Sequence, residues 1–522
     1  MQKLQYAIKH NIPFKHVIDL LSQNFLLSEI HHKHVERRYL DSFDWRMYRN
    51  NLISGVDSHE NENIFFVKNK DSEQSIWELT VNEAPKFYQD IESKHCQVYL
   101  SKILSVRALM PILSLNISQR HINILNKEHK TIVKIFIENY TLDDQKPKNK
   151  ISSRLIVSAI KGYEKAFNKV SRFIEQELKL GKLDVSLLDD LLKKLKIKSQ
   201  TNKSGFNKKI TDSLNTWDAS RILLQDLLET MLLNEPGLRS AIDTEFLHEY
   251  RVAVRRTRSA LTQIKQVFSE KELVHFKQSF YWLGTITTPT RDLDVYLLKF
   301  DQYVSELPPQ IQIDILPLQL FLKRHWQEEH DKLCTILDSD KYHSLIKEWQ
   351  MVLDREVMES PHSSNATKPA KEVANKRIWK LYKRVLKEGK AISPQSPDDD
   401  LHELRKSCKK FRYMMEFFQD YYPAKNIKQL IKALKQLQNN LGDFQDLCVQ
   451  IDQLNKFAQQ MQDEKIADTK AIMAMGVLVE KLTTRKQEVR SHSEERFKDF
   501  ASDKTIFEFK SVFDPKLYRD EV

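Results

Sequence analysis

The chain has 522 residues, 41% of them hydrophobic and 30% charged, with a formal net charge of +11. That length and balance describe globular units with full cores and exclude a disordered chain or a single mini-domain. Four scattered cysteines without C-x-x-C spacing argue against a thiolate zinc site or a disulfide framework. The absence of any run of ~18 apolar residues excludes a helical membrane span, and nine glycines favour long helices over a turn-rich β-protein.

The opening residues, MQKLQYAIKHNIPF, lack the apolar core of a signal peptide, so a reduced, cytoplasmic protein is expected. A helical stretch near His16–Asn24 is followed by β-rich runs at Val35–Leu40, Ile64–Val67, Ile76–Val81, His121–Leu125 and Ile132–Tyr140. Polar pieces at Asp57–Asn63 and Asn69–Gln74 separate them, and a helix is inserted around Ser93–Leu104. The pattern predicts an antiparallel sheet or barrel with helices. From about Ile151 the periodicity reads as helical, with amphipathic stretches at Tyr163–Leu178 and Leu183–Lys196. The polar stretch Lys198–Asn207 marks a domain boundary.

Everything after about Gly205 predicts helix, with starts near Leu214, Thr244, Lys271, Leu316, Lys341, Ala370, Leu401, Asn426 and Ala467. Pro236-Gly237 is expected to close the first of these, and Asp243 to cap the second. Ser360–Pro369 separates two halves, and the aspartates of Ser393–Asp400 favour the positive N-terminus of the helix that follows.

Those halves are copies. HEYRVAVRRTR carries His248, Arg251, Arg255, Arg256 and Arg258; HELRKSCKKFR carries His402, Arg405, Lys409, Lys410 and Arg412. Their offset is 402 − 248 = 154 residues, and Arg291–Val295 (RDLDV) repeats as Gln445–Val449 (QDLCV) at 445 − 291 = 154. One shared offset points to duplication. Steps of +3, +7 and +10 from each histidine place three cations on one helical face along roughly 15 Å. Like charges at i,i+4 cost a few tenths of a kcal/mol per pair. An array present twice despite that cost fits an extended anion, and arginine forks suit phosphate oxygens. A third basic stripe holds Lys376, Lys380, Lys383 and Lys387, with Ile378, Leu381, Tyr382 and Val385 opposite. Bulk charge does not mark the repeats: residues 1–200 hold 32 Lys+Arg against 24 Asp+Glu, the remainder 51 against 48. Patterning therefore carries the signal. A charged helical face is most often merely solvated, and duplication is what lifts these above that reading. No nucleophile or carboxylate cluster stands at fixed spacing from the histidines, which favours binding over chemistry.

The repeated H-x-x-R-x-x-x-[RK]-[RK]-x-R pattern, with Leu283-Gly284 and Arg291–Val295 in the first copy and Leu437-Gln438, Leu441–Asp443 and Asp446 in the second, resembles the conserved-histidine α-helical domain, CHAD. The likeness covers Lys209–Ser502, with halves at about 209–360 and 370–502. It implies two pseudo-symmetric four-helix bundles around a basic groove that binds inorganic polyphosphate. By that likeness the groove is lined by His248, Arg251, Arg255, Arg256, Arg258, Lys376, Lys380, Lys383, His402, Arg405, Lys409, Lys410, Arg412, Lys432 and Lys435. Gln445 departs from the pattern where the first copy has Arg291, and Lys410 replaces an arginine.

Residues 1–200 are similar to the CYTH, or triphosphate-tunnel, family through Arg38–Arg49, Val106–Leu109, Arg154-Leu155 and Gly162-Tyr163. That likeness implies an antiparallel β-tunnel with helices and an anion site drawn from Lys9, Arg38, Arg107, Arg120 and Lys134. The family's E-x-E-x-K signature stands here as Gln5-x-Ala7-x-Lys9, without the carboxylates a hard cation needs. A degenerate tunnel with no cofactor is therefore expected. The enzymatic alternative is an Mg²⁺- or Mn²⁺-dependent phosphohydrolase of triphosphates or tripolyphosphate, with Glu36, Glu78 and Glu138 as the remaining candidate ligands. The expected partner is inorganic polyphosphate, with association with polyphosphate granules; a membrane is not expected, and the cationic faces lack the interleaved aromatics that favour nucleic acid.

Overall fold

The computed structural model describes residues 3–8, 13–60, 62–142, 151, 153–197, 209–355 and 363–514. Two compact units emerge, Met1–Asn202 and Lys203–Val522. The boundary expected at Lys198–Asn207 lies outside the described residues.

The first unit is built on β1 (Lys3–Ile8), β2 (Leu26–Leu27), β3 (His31–Asp41), β4 (Leu52–His59), β5 (Glu62–Asn69), β6 (Ser75–Val81), β7 (Met110–Leu125), β8 (Thr131–Leu142), β9 (Ser153–Ala159) and β10 (Gly181–Lys182). All pairings are antiparallel, in the order β10-β1-β9-β8-β7-β3-β4-β5-β6, with β2 beside β7. Helices α1 (Phe14–Asn24), α2 (Arg46–Arg49), α3 (Lys94–Leu104), α4 (Glu164–Gln176) and α5 (Leu187–Leu195) complete the unit. Strand β9 corrects the expectation of helix from Ile151. Its apolar run, SRLIVSA, is too short for periodicity to separate strand from buried helix, and central pairing between β1 and β8 decides it.

Strand alternation creates two faces. On one, Ile122, Ile124, Val133, Ile135, Ile137, Leu155 and Val157 pack under α1 and α4. On the other, Val35, Tyr39, Ile53, Phe66, Leu115, Ile117 and Tyr140 pack against Leu187, Leu188, Leu191 and Leu192 of α5. The amphipathic stretch ending at Lys196 is thus a helix whose apolar side fills this second face of the sheet.

The helical unit comprises α6 (Thr216–Arg239), α7 (Thr244–Gln263), α8 (Glu270–Ile286), α9 (Thr288–Leu298), α10 (Phe300–Glu306), α11 (Leu316–Leu337), α12 (Asp340–Leu353), α13 (Ala370–Ala391), α14 (Asp398–Phe417), α15 (Ala424–Asp463), α16 (Thr469–Ser491), α17 (Ser493–Phe500) and α18 (Asp503–Phe513). Helix starts repeat at the sequence offset: α13 follows α6 by 370 − 216 = 154, α14 follows α7 by 398 − 244 = 154, and α15 follows α8 by 424 − 270 = 154. Where α15 runs unbroken for 40 residues, the first copy divides into α8 and α9 at Thr287, with Pro289 just inside α9. Proline lacks the N–H needed to continue the ladder, and Asp443 stands at its counterpart. Pro236 does not end α6, which continues to Arg239; a proline in the last turn removes only one helical bond. Asp243 caps α7 as expected, accepting from the Glu245 N–H at 2.9 Å. Helix α18 extends the unit past Ser502, burying Phe509 against Tyr382 and Phe411.

The two copies meet around a pseudo-twofold axis. The Thr216 N–H donates to the Lys368 carbonyl at 2.8 Å, and the Ala370 N–H donates to the Leu214 carbonyl at 3.1 Å. Each bond is the other shifted by 154 in both partners, the reciprocal contact that defines a twofold. A shared core repeats the relation: Leu293, Phe300, Tyr303 and Leu307 cluster with their counterparts Leu447, Leu454, Phe457 and Met461. The halves are therefore joined through common packing rather than closed separately.

Candidate functional site

Helices α7 and α14 carry the two histidine motifs and pack on each other, as the axis requires. Apolar spacing sets their orientation. Tyr250, Ala253, Val254 and Thr257 of α7, and Leu404, Ser407, Cys408 and Phe411 of α14, face inward, leaving the cations on the complementary side.

In the first copy, Arg251 donates from one guanidinium nitrogen to the Gly284 carbonyl (3.0 Å), Thr287 Oγ1 (2.7 Å) and Thr288 Oγ1 (3.1 Å). Burial lowers its pKa to about 10; Asp292 opposes the shift, while Arg255, Arg291 and Arg258 add to it. Arg258 lies over the Tyr281 ring at 4.9 Å. A Cβ at Gly284 would come within 3.1 Å of that guanidinium, so the Leu283-Gly284 step makes room for it. Arg255 is exposed.

In the second copy, Arg405 donates to Asp446 at 3.2 Å. Asp446 is the counterpart of Asp292 (446 − 154 = 292), so each copy sets one aspartate against its first arginine. Arg412 lies 3.5 Å from Glu416 and stacks near Tyr413. Lys409 has no acceptor within hydrogen-bonding distance among the described residues. Its pKa falls to about 7 through burial, then Arg405 and Arg255, with Asp446 opposing and Arg412 adding. Arg255 belongs to α7 and the others to α14, so cations from both copies share one field. Arg256 crosses the interface to Glu416 at 3.1 Å. Lys410 faces the same helix's Glu403 without a close pair.

The histidines sit at the N-terminal ends of these ladders. His402 Nδ1 lies 2.5 Å from Gln445 Oε1, so the glutamine that replaces an arginine holds the histidine. Arg291 instead donates to the Thr244 carbonyl at 3.2 Å and lies 3.7 Å from Asp294. His248 lies within 4.8 Å of carboxylate oxygens of Glu245 and Glu249, a trio of a size that can hold a cation. Glu245, in the first turn of α7, is already favoured there by the helix dipole, and the corresponding Asp399, His402 and Glu403 form no such close trio among the described residues.

The remaining predicted groove residues stand apart. Lys376, Lys380 and Lys383 are exposed along α13, and Lys376 pairs with Glu372 at 2.6 Å. The cation of α13 that reaches α7 is Arg377, which donates to Gln263 Oε1. Lys432 and Lys435 are exposed on α15; Lys435 is the counterpart of Tyr281 (435 − 154 = 281), the residue beneath Arg258. Thr287, Thr288 and Tyr281 lie outside the sequence motifs, whereas Asp292 lies within RDLDV without having been assigned to the groove. The 154-residue offset relating Asp292 to Asp446 was the available signal.

Strand parity places two of the expected tunnel cations, Arg38 and Arg120, away from the concave face. Arg38 points to the outer side beside Glu36, at 3.9 Å, whereas Arg37 shares the concave face with Tyr39. Arg120 lies over Phe14 of α1 on the outer face, its centroid distance 3.8 Å. Arg107 is buried 3.6 Å from Asp44, which also binds Arg46 and Arg49. Asp41 accepts from the N–H groups of Ser42, Met47 and Tyr48, so the Arg38–Arg49 segment is a structural knot that starts α2. Lys134 lies in register with Asn123 and Ser158 and is exposed. Lys9 is outside the described residues.

A cavity of about 50 Å³ remains on the concave face, lined by Lys3, Gln5, Arg37, Tyr39, Lys68, Glu73, Glu138 and Tyr140. Two of its charged groups are already engaged. Arg37 makes two 2.6 Å bonds to Asp57; Glu138 accepts from Gln119 (2.6 Å) and Tyr140 (2.5 Å). Gln5 and Ala7 share the concave register without a carboxylate and Glu36 points away, so the carboxylates that line the cavity are Glu73 and Glu138, both already accepting hydrogen bonds.

Residues 222–455 match the CHAD domain family. Two uncharacterized proteins from strains of Mycobacterium tuberculosis are 26% identical over 232 residues, 43% of this chain and 43% of each relative, so the chain spans less than half the length of the curated relatives it matches. The crystal structure of the CHAD domain from the plant Ricinus communis is similar at TM-score 0.45 and 24% identity, over 55% of this chain and 93% of that one. The PH1819 protein from Pyrococcus horikoshii is similar at TM-score 0.24 and 15% identity, over 38% of this chain and 98% of that one.

Proposed function

We propose, for a chain whose residues 222–455 form a CHAD domain, that the facing ladders of α7 and α14 bind inorganic polyphosphate without catalysing its cleavage. The CHAD family is linked to polyphosphate, and the observation that carries the reading here is Lys409. It is a half-buried amine among Arg255, Arg405 and Arg412, opposed by Asp446 and with no hydrogen-bond acceptor among the described residues. Concentrating cations from two helices around such an amine is unfavourable until an anion enters. A chain of phosphates supplies oxygens at repeated intervals, and arginine forks can grip each in turn.

The two sides act differently. Arg251 is held by a carbonyl and two hydroxyls, so it offers a positioned charge. Arg255, which is exposed, and Lys409 have the greater freedom to close on a ligand. Replacing Arg251, Arg255, Arg405 and Lys409 together by alanine is expected to lower affinity for long-chain polyphosphate by at least about a hundredfold, since each charge-assisted contact contributes ~1.5–3 kcal/mol. Calorimetric titration of that variant tests the reading; unchanged affinity overturns it. Binding should weaken with salt, and polyphosphate should displace DNA at lower phosphate concentration than the reverse.

A further inference from the structure

The two copies share the ladders on α7 and α14 but differ in the helices packed beside them. On α8 the exposed positions Val274, Gln278, Tyr281 and Thr285, spaced at i, i+4, i+7 and i+11, form one helical stripe. Their counterparts 154 residues later, on α15, are Lys428, Lys432, Lys435 and Asn439, all exposed. One flank thus carries three ammonium groups where the other carries a valine, an amide and a phenol ring. Because the fold is duplicated, each pair occupies the same place in its own half, and only the chemistry has changed.

The divergence reaches the last cation of each ladder. Arg412 lies 3.5 Å from Glu416, whereas the counterpart of Glu416 is Thr262, which donates to the Arg258 carbonyl at 2.7 Å. Arg258 therefore lacks the carboxylate that Arg412 has. Its guanidinium meets no hydrogen-bond acceptor among the described residues and lies 4.9 Å from the centre of the Tyr281 ring. Gly284 leaves it space at the position where the second copy has the buried Gln438. Tyr281 nonetheless stays 60% exposed, so the guanidinium does not cover the ring. The α7 ladder has no aromatic among its own cations, and α8 supplies one alongside. Such a ring can take a planar group on its open face, while the neighbouring guanidinium takes a phosphate joined to that group.

We infer that the groove of the helical unit takes, besides bare phosphate chains, chains that end in a planar heterocycle, of the nucleoside 5′-polyphosphate class, with the base stacked on Tyr281 and the phosphates on the ladder cations. The inference rests on the polyphosphate reading and gives that site a polarity. A bare chain lies equally well in either direction; a capped one places its base at α8, because Lys435 at the equivalent place offers no ring. Gln278, one turn from Tyr281 on the same stripe, has an amide that both donates and accepts, so it suits the edge of a base without requiring one particular base.

The test titrates the full chain, by calorimetry, with adenosine 5′-tetraphosphate and with inorganic tetrapolyphosphate, which has as many phosphates and one more ionisable oxygen. Charge alone favours the inorganic chain. Adenosine tetraphosphate should still bind about tenfold more tightly, within what one base–aromatic stack supplies. Tyr281→Leu should bring the ratio of the two affinities to one or below, Tyr281→Phe should keep it, and Lys435→Leu should weaken both ligands alike. Tyr281 is exposed, so none of these changes threatens the fold. Equal or weaker binding of adenosine tetraphosphate by the wild type, or a ratio unmoved by Tyr281→Leu, overturns the inference. Long-chain polyphosphate titrated alongside separates the two readings. If it binds while the adenosine ligand gains nothing, only the inference falls; if it does not bind, the polyphosphate reading falls and takes the inference with it.

Discussion

Lys409→Met isolates the group on which the polyphosphate reading rests. In the free protein the amine titrates near pH 7, held down by burial and by Arg405, Arg255 and Arg412 against the single opposing charge of Asp446. A phosphate chain placed among these groups reverses the field and restores the ammonium, so binding takes up a proton wherever the free amine is neutral. At about one pKa unit of deprotonation the cost is ~1.4 kcal/mol, or tenfold in affinity. Affinity should therefore be flat below pH 6.5 and fall by nearly tenfold per unit between about pH 7 and 9. The sign for folding runs the other way. The folded-state value lies below that of the unfolded chain, so the penalty on stability is fully present below pH 7 and disappears as pH rises toward 10. Titration calorimetry at pH 8 in buffers of different ionisation enthalpy should count close to one proton taken up per site. Lys409→Arg should keep the affinity and lose the slope; Lys409→Met should lose both. If the methionine variant retains the wild-type pH dependence, the proton belongs elsewhere and the reasoning fails.

Two further substitutions probe the surrounding structure. Glu416→Gln removes the carboxylate that holds Arg256 at 3.1 Å and Arg412 at 3.5 Å, and should tighten polyphosphate binding several-fold with a steeper salt dependence; an unchanged dissociation constant at low salt would show that these arginines do not face the ligand. Gly389→Ala would set a Cβ 1.9 Å from the Phe497 ring, forcing α13 away from α17 at a cost of about 1–3 kcal/mol. Urea denaturation should show the lower midpoint, and an unaltered one would contradict the packing.

The duplication was legible because a fixed offset survives divergence: it appears in the histidine motifs, in Asp292 and Asp446, and again in the helix starts. Asp243 as a cap and Thr244 as the start of α7 followed from local chemistry. The tunnel site was harder to read. Arg37 and Arg38 are adjacent and differ only by which face of β3 they occupy, a one-residue parity that the His31–Asp41 sequence leaves ambiguous. Arg107 was misleading for another reason, since an arginine buried against Asp44 has the same letter as one facing a ligand. The amphipathic stretch containing α5 was visible, but not that its leucines fill the face on which an anion was expected. Tertiary placement, not local propensity, decided each of these.

The reciprocal bonds at Thr216 and Ala370 have a consequence for the kind of ligand that fits. An axis exchanging α7 with α14 presents cations at equivalent positions, though differently held, to a strand entering from either end. Single-stranded nucleic acid has a direction, so reversing it changes every contact. A linear chain of identical phosphates has none: it reads the same forward and backward and can shift by one unit without altering what the protein meets. Such a receptor needs neither orientation nor register, and the chain could be drawn through it without ever being released.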